Sequence, residues 1–264
     1  GRQAKSKARL ARFEELSDVE YQKRNETNEI FIPPGERLGN SVMEFKNVSK
    51  KFGDRLLIDN LSMIIPPGAI VGIIGPNGAG KTTVLDLICG RTRATGGSIK
   101  FKGKEISRLR EDRIVAEGIG RKFQNPSIYE DLSVFENLEI SYPRGHSVFG
   151  ALAFKRDAAV RDRIDEIAET IFLADHLDQR AEHLSHGQKQ WLEIGMLLIQ
   201  DPKLLMLDEP VAGMSVAERV KTADLLNRII KDRAVIVIEH DMKFVEDIAH
   251  RVTVLHQGKV LSEG

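Results

Sequence analysis

The sequence predicts an α/β fold around a mostly parallel sheet, and three features of its patterning predict it. An unbroken apolar run, Ala69 to Ile74, ends in a glycine-rich turn, and a helical pattern follows from Lys81. Further apolar runs at Leu204 to Leu207, Ala234 to Ile238 and Val252 to Leu255 alternate with helical stretches near Gln188 to Ile199 and Val216 to Ile230. Short β-type runs at Val42 to Val48 and Leu57 to Ile65 come before all of these and predict an antiparallel flank beside the core sheet.

Residues 1–40 are rich in Lys, Arg, Glu and Asn and break at Pro33-Pro34-Gly35. They read as a charged helical extension followed by an extended linker, although a solvated tail fits the same pattern. Residues 41–264 read as one domain. Within it the stretch from about Ser133 to Leu177 supplies several helices in succession, a helical subdomain at about residues 130–180. Val160, Ile164, Ile167, Ala168 and Ile171 recur there at helical spacing, which marks a packing face. No internal repeat or low-complexity tract is visible.

A chain of 264 residues with 41% hydrophobic content can bury a sizeable core, which excludes disorder throughout. Basic and acidic residues balance at 39 each, so net charge points to no polyelectrolyte partner. Cys89 is the only cysteine, which excludes a disulfide framework and a cysteine-rich metal site and leaves it as a small core residue in a reducing compartment. No apolar run approaches the roughly 18 to 20 residues that span a bilayer, and the start is charged rather than signal-like. A soluble, cytoplasmic protein is expected. The chain opens on Gly1 and stops at Gly264 just after a strand, so it reads as a fragment.

Chemistry concentrates in three motifs. Gly75-Pro76-Asn77-Gly78-Ala79-Gly80-Lys81-Thr82 fits G-x-x-x-x-G-K-[ST], in which glycines let backbone N–H groups wrap phosphate oxygens at a helix start. Lys81 is expected to reach the β- and γ-phosphates and Thr82 to ligate Mg²⁺, with Gly75, Asn77, Gly78, Gly80 and Thr83 as further nucleotide contacts. Chance produces such a match in a chain this long on the order of one per cent of the time. Leu204-Leu205-Met206-Leu207-Asp208-Glu209 ends an apolar run in two carboxylates, placing Asp208 beside the metal and Glu209 before the attacking water. Alone, such a pair is usually a solvated loop; the glycine-rich motif upstream changes that reading. Leu184-Ser185-His186-Gly187-Gln188 precedes an amphipathic helix, whose start attracts anions, though an ordinary N-cap has the same form.

These three motifs, in this order, resemble the ATP-binding cassette family, which implies a P-loop NTPase fold, ATP and Mg²⁺ as ligands, and ATP hydrolysis. Position by position, the resemblance implies that Phe52 stacks on adenine, where a core Phe is the alternative. Gln124 matches the Q-loop glutamine that contacts Mg²⁺ and water, after a strand-like Gly120 to Phe123. His240 matches the switch histidine at the γ-phosphate. Ser185, Gly187 and Gln188 match a signature that completes the nucleotide site of a second cassette, in a homodimer or heterodimer. His186 stands at a usual glycine position, and Pro210-Val211-Ala212-Gly213-Met214-Ser215 lacks the Asp that many cassettes carry there.

The wording of Gly118 to Gln124, Leu184 to Leu198, Asp208 to Met214 and Val252 to Gly258 is similar to the ATPase subunits of urea importers, with branched-chain amino-acid importers as cousins. That likeness covers roughly residues 75–264 and implies permease subunits as partners and a peripheral place on the inner face of the plasma membrane. Residues 1 to about 80, with Lys5 to Phe13, Tyr21 to Glu29, Ile32 to Gly35 and Asp54 to Ile58, instead resemble the linker and second-cassette start of ABC-F translational throttle proteins. Those imply the ribosome as an alternative partner. The two resemblances meet at the P-loop, so a join is expected there, by recombination, by design or by misassembly of sequence reads, and a non-functional fusion of the two is a third alternative.

Overall fold

The computed structural model describes residues 41–122, 127–143 and 158–264, so the expected helical extension over residues 1–40 lies outside it. Two strands, β1 (Met43–Phe52) and β2 (Arg55–Ile65), form a hairpin. The other edge of β1 pairs antiparallel with β4 (Gly96–Phe101), which carries the short β5 (Lys104–Glu105), giving a four-stranded sheet. A six-stranded sheet contains β3 (Ile70–Ile74), β6 (Ile119–Lys122), β7 (Leu204–Asp208), β8 (Ala234–Ile238), β9 (Arg251–His256) and β10 (Lys259–Glu263) in the order β10-β9-β3-β8-β7-β6. All its pairings are parallel except β10 with β9. The helices are α1 (Lys81–Cys89), α2 (Glu111–Ala116), α3 (Val134–Ser141), α4 (Ala158–Thr170), α5 (His186–Leu198), α6 (Val216–Ile229) and α7 (Met242–Ile248).

Every residue of β3, β7 and β8 is buried, as a strand covered on both faces requires. Alternate side chains point to opposite faces and so feed two cores. Leu205, Leu207, Val235 and Val237 pack with residues of the helices from α3 to α7. Leu204, Met206, Ile236 and Ile238 pack with α1 and the antiparallel sheet. Burying each of these large side chains contributes about 1.5–3 kcal/mol. The stripe Val160, Ile164, Ile167 and Ala168 is buried along α4, with Ile171 just beyond its end, so that face is packing.

One interlock ties the flank to the glycine-rich turn. In the turn between β9 and β10, Gly258 donates its N–H to Ala79 O (2.9 Å) and its carbonyl accepts from Asp59 N–H (2.8 Å). Gly258 has φ 79°, and a Cβ there would stand 2.3 Å from Leu57 O, so only glycine lets β2 lie this close.

The expected runs sit where β1 to β3, β7 to β9, α5 and α6 form, within a few residues at their ends. β4, β5, α2 and α7 escaped the patterning. Gly96 and Gly97 open β4, β5 has two residues, and α2 and α7 have six and seven, too short for a helical period to register.

Candidate nucleotide site

β3, β7 and β8 lie side by side in the order β3-β8-β7, so the segments leaving their carboxyl ends converge on one cleft. Its walls come from Arg55 and Leu57 of β2, the turn and first residues of α1, Asp208 at the end of β7 with Glu209 after it, and Ile238 at the end of β8 with His240 beyond it. They surround ≈ 240 Å³. Asn77, Gly78, Gly80, Lys81, Thr82 and Thr83 all line it. Gly80, at φ 101°, is the N-cap of α1, and no side chain caps that helix. Its first N–H groups therefore have no intrahelical partner, and the positive end of the helix lies at the cleft. A Cβ at position 80 would come within 2.7 Å of Ile58 Cδ1 and 2.9 Å of Leu57 O.

Lys81 Nζ donates to Gly75 O (2.6 Å) and Pro76 O (3.1 Å), so the loop holds its own cation in the cleft. Burial lowers the pKa of Lys81, while Glu209 and Asp208 pull it back up. Asp208 is buried at the end of β7, with Arg121 Nη2 3.7 Å from its Oδ2; Arg121 Nη1 also donates to Asp86 Oδ1 (2.6 Å). Burial pushes the Asp208 carboxyl up against the opposing pull of Arg121. Glu209 adopts φ 50°, a left-handed conformation uncommon for a non-glycine residue, which it shares with Asn47, Phe172 and Gln257 among others. Its N–H donates to Ile238 O (2.9 Å), and its Oε1 lies 3.3 Å from His240 Nε2.

Thr82 and Asp208 offer hard oxygen donors to the same cleft. Among the described residues no cluster of three or more His, Cys, Asp or Glu could form a metal cage. A hydroxyl and one carboxylate, with phosphate and water completing the sphere, is the donor set that suits Mg²⁺.

Phe52 ends β1 with 77% exposure, which excludes a core Phe, and it is not among the walls of the cleft; Arg55 and Leu57 are, and the sequence reading missed both. Gln124 lies outside the described residues. Ser185, Gly187 and Gln188 sit apart from the cleft at the start of α5. Ser185 Oγ accepts from Gln188 N–H (3.2 Å) and Gln188 Oε1 accepts from Ser185 N–H (2.8 Å), a capping box. Ser185 Oγ also donates to Glu218 Oε1 (3.2 Å), and His186 Nε2 lies 3.0 Å from Ala212 O. The motif thus packs on the loop after Glu209 and the first turn of α6. Trp191 of α5 donates its indole N–H to Thr222 Oγ1 of α6 (2.9 Å), which fixes the two helices together.

Arg121 and Glu239 also went unread in the sequence. Glu239 is a charge directly after the apolar strand β8, the one signal that marked it; Arg121 sits in β6, Ile-Gly-Arg-Lys, where no apolar run sets it off.

Residues 58–212 match the ABC transporter family. The energy-dependent translational throttle protein EttA of Haemophilus influenzae is 39% identical over 264 residues, 98% of this chain but 43% of that protein. The chain thus spans less than half the length of the throttle proteins it matches. The high-affinity branched-chain amino acid transport ATP-binding protein BraF of Pseudomonas aeruginosa is 34% identical over 237 residues, 84% of this chain and 91% of that protein. The crystal structure of an ATP-binding cassette of an ABC transporter in its ADP conformation superposes with a TM-score of 0.74 at 30% identity, covering 85% of this chain and 91% of that one. Cleft, strand order and sequence agree: the chain belongs to the ABC transporter family, as an ATP-binding cassette ATPase.

Proposed function

We propose that the chain is the ATP-hydrolysing subunit of an importer for urea or a related amide. In this reading it works as a pair of cassettes beneath permease subunits on the inner face of the plasma membrane. The observation that carries the reading is the convergence of Lys81, Thr82, Asp208, Glu209 and His240 on one cleft. The likeness to BraF over 91% of that protein supports an importer role. The choice of urea rests on the wording around Gly118 to Gln124 and Asp208 to Met214. Among the described residues no helix is long and apolar enough to cross a membrane.

Hydrolysis forms a bond between water oxygen and the γ-phosphorus and breaks the bond to the β-bridging oxygen. Lys81 binds the phosphates, Glu209 takes the water proton, and His240 holds a γ-phosphate oxygen. Thr82 and Asp208, with Gln124, would hold Mg²⁺, which neutralises charge on the transferring group. Ser185, Gly187 and Gln188 face the nucleotide of the second cassette, and Phe52 lies against the base. Phosphate release by the isolated chain tests the ATPase reading; Lys81→Ala should abolish it. Co-purification with permease subunits, and uptake that depends on Glu209, test the importer.

A second reading has its own support: EttA matches 98% of the chain in one alignment. Under it the chain is the second cassette of a ribosome-associated translation factor, and co-sedimentation with ribosomes rather than with membranes is expected. We further propose that residues 1–40 form a charged extension and residues 41–264 the cassette, with its helical part at about residues 130–180. The lineages join near Gly75. Long-read sequencing across the P-loop tests the join: one uninterrupted frame supports a real fusion, and two separate genes would mark the joined chain as an artefact.

A further inference from the structure

Glu239 is a buried carboxylate to which no step of hydrolysis has been given. It leaves the end of β8 directly before His240 and keeps 4% of its surface exposed. A carboxylate so far from water is tolerated only when its oxygens are satisfied. Here both are met by backbone donors from two different loops. Oε1 accepts from Val211 N–H at 3.0 Å, in the segment that follows Asp208 and Glu209; Oε2 accepts from His240 N–H at 3.1 Å.

The two loops so joined frame the reacting groups. Glu209 is held in a left-handed conformation two residues before Val211, and His240 Nε2 sits 3.3 Å from Glu209 Oε1. The residue after Val211 presents its carbonyl to His186 of the motif at the start of α5 (3.0 Å). On the other side Asp241 caps α7 through Phe244 N–H (3.1 Å) and forms an ion pair with Arg219 of α6. Glu239 is therefore a link, beside the bond from Glu209 N–H to Ile238 O, between the loop that meets α5 through His186 and the loop that carries His240 and meets α6 through Asp241.

We propose that Glu239 is a positioning residue for ATP hydrolysis, which sets His240 against Glu209 by tying the His240 backbone to the loop at Val211. It touches no reacting atom and acts through His240. An apolar residue would fill the space, but it would leave the buried Val211 N–H and the part-buried His240 N–H without these acceptors. Glutamine keeps the shape and replaces one acceptor with a donor, so it can hold one loop or the other, not both.

The inference rests on the ATPase reading, and the experiment keeps the two apart. In Glu239→Gln, kcat should fall by on the order of tenfold while nucleotide affinity stays within about twofold, because Lys81 and the turn are untouched. In a His240→Ala background the same change should have no further effect on kcat, since residues acting as one unit are not additive. A kcat equal to the parent's, or losses that multiply in the double variant, would overturn the proposal; a parent that releases no phosphate would overturn the ATPase reading instead. Hydrogen exchange on the parent needs no variant to fold. The Val211 and His240 amides should exchange slowly and at matching rates, and fast exchange of either one alone sinks the link.

Discussion

Two helix starts in this molecule are both suited to meet phosphate, and they are built in opposite ways. α1 begins after Gly80 with no side-chain cap, and its turn lines an open cleft with Lys81 beside it. α5 begins at Ser185 with its capping box closed, its serine hydroxyl on Glu218, and Gly187 packed so near that a Cβ would stand 2.3 Å from Glu218 Oε1. The first is an anion site waiting in one chain. The second already caps its Gln188 N–H and turns its serine hydroxyl to Glu218 within the chain, so engaging a nucleotide on a partner would require it to exchange those bonds. Under the proposed pairing of cassettes, binding would belong to α1 and commitment to a pair to α5.

The sharpest way to break this contrast is Glu209→Gln, which leaves α1 intact. Turnover should drop by about 10²- to 10⁴-fold, the usual worth of a general base, while nucleotide still binds. Light scattering at saturating MgATP should then show pairs, because α5 has time to trade its internal bonds; a purely monomeric variant would mean α5 never opens.

Next is the anchor of α5. Glu193 Oε2 lies 3.4 Å from Lys122 Nζ at the end of β6, both side chains nearly inaccessible. Glu193→Ala removes one member of a buried ion pair and should lower unfolding free energy by about 3–5 kcal/mol in urea titration. The pair also carries a pH signature. Burial raises the Glu193 carboxyl, against the pull of Lys122 and of Ser127 N–H. The unfolded chain loses that proton near the ordinary value of about 4.3, and the folded chain holds it to higher pH. Its contribution to stability is thus fullest below that ordinary value and declines as pH rises through the folded one. Glu193→Gln should remove that slope, measured as the difference between the two pH–stability curves.

Lys81→Ala tests α1 directly. Loss of the Lys81 cation, which leaves Arg55 in the cleft wall, should weaken nucleotide binding by about 100-fold in calorimetry, with little change in folding. Unchanged affinity would mean that the helix start alone suffices. The smallest effect should come from Ser185→Ala, about 1 kcal/mol in thermal unfolding for a lost N-cap, with nucleotide affinity at α1 untouched.

How legible each region was follows from the same physics. The α1 site could be read because Lys81, Thr82 and the glycines are adjacent in sequence, where spacing alone constrains geometry. β7 and β8 were legible as apolar runs because a strand buried on both faces allows little else. Arg121 and Glu239 were not, because their partners are far along the chain: Asp208 is 87 positions from Arg121, and Val211 is 28 from Glu239. Arg55 and Leu57 escaped because they line the cleft only once β2 folds over the turn. The contact between Ser185 and Glu218 escaped for a related reason: each residue alone reads as an ordinary part of a capping box, and only the packing of α5 on α6 brings the two together.

The interlock at Gly258 bears on how such chains can be inherited. Leu57 O lies close to both Gly80 and Gly258, so a strand before the turn, the turn itself and a hairpin near residue 260 share one tight space. Were genetic segments exchanged near the P-loop, β2 and that hairpin would differ in ancestry and still be in contact. The incoming strand succeeds only if the hairpin it meets lacks a side chain at position 258. Compatibility across such a crossover is therefore decided by one absent methyl group about 200 residues downstream, and an alanine there would be a barrier to recombination that neither parent displays alone.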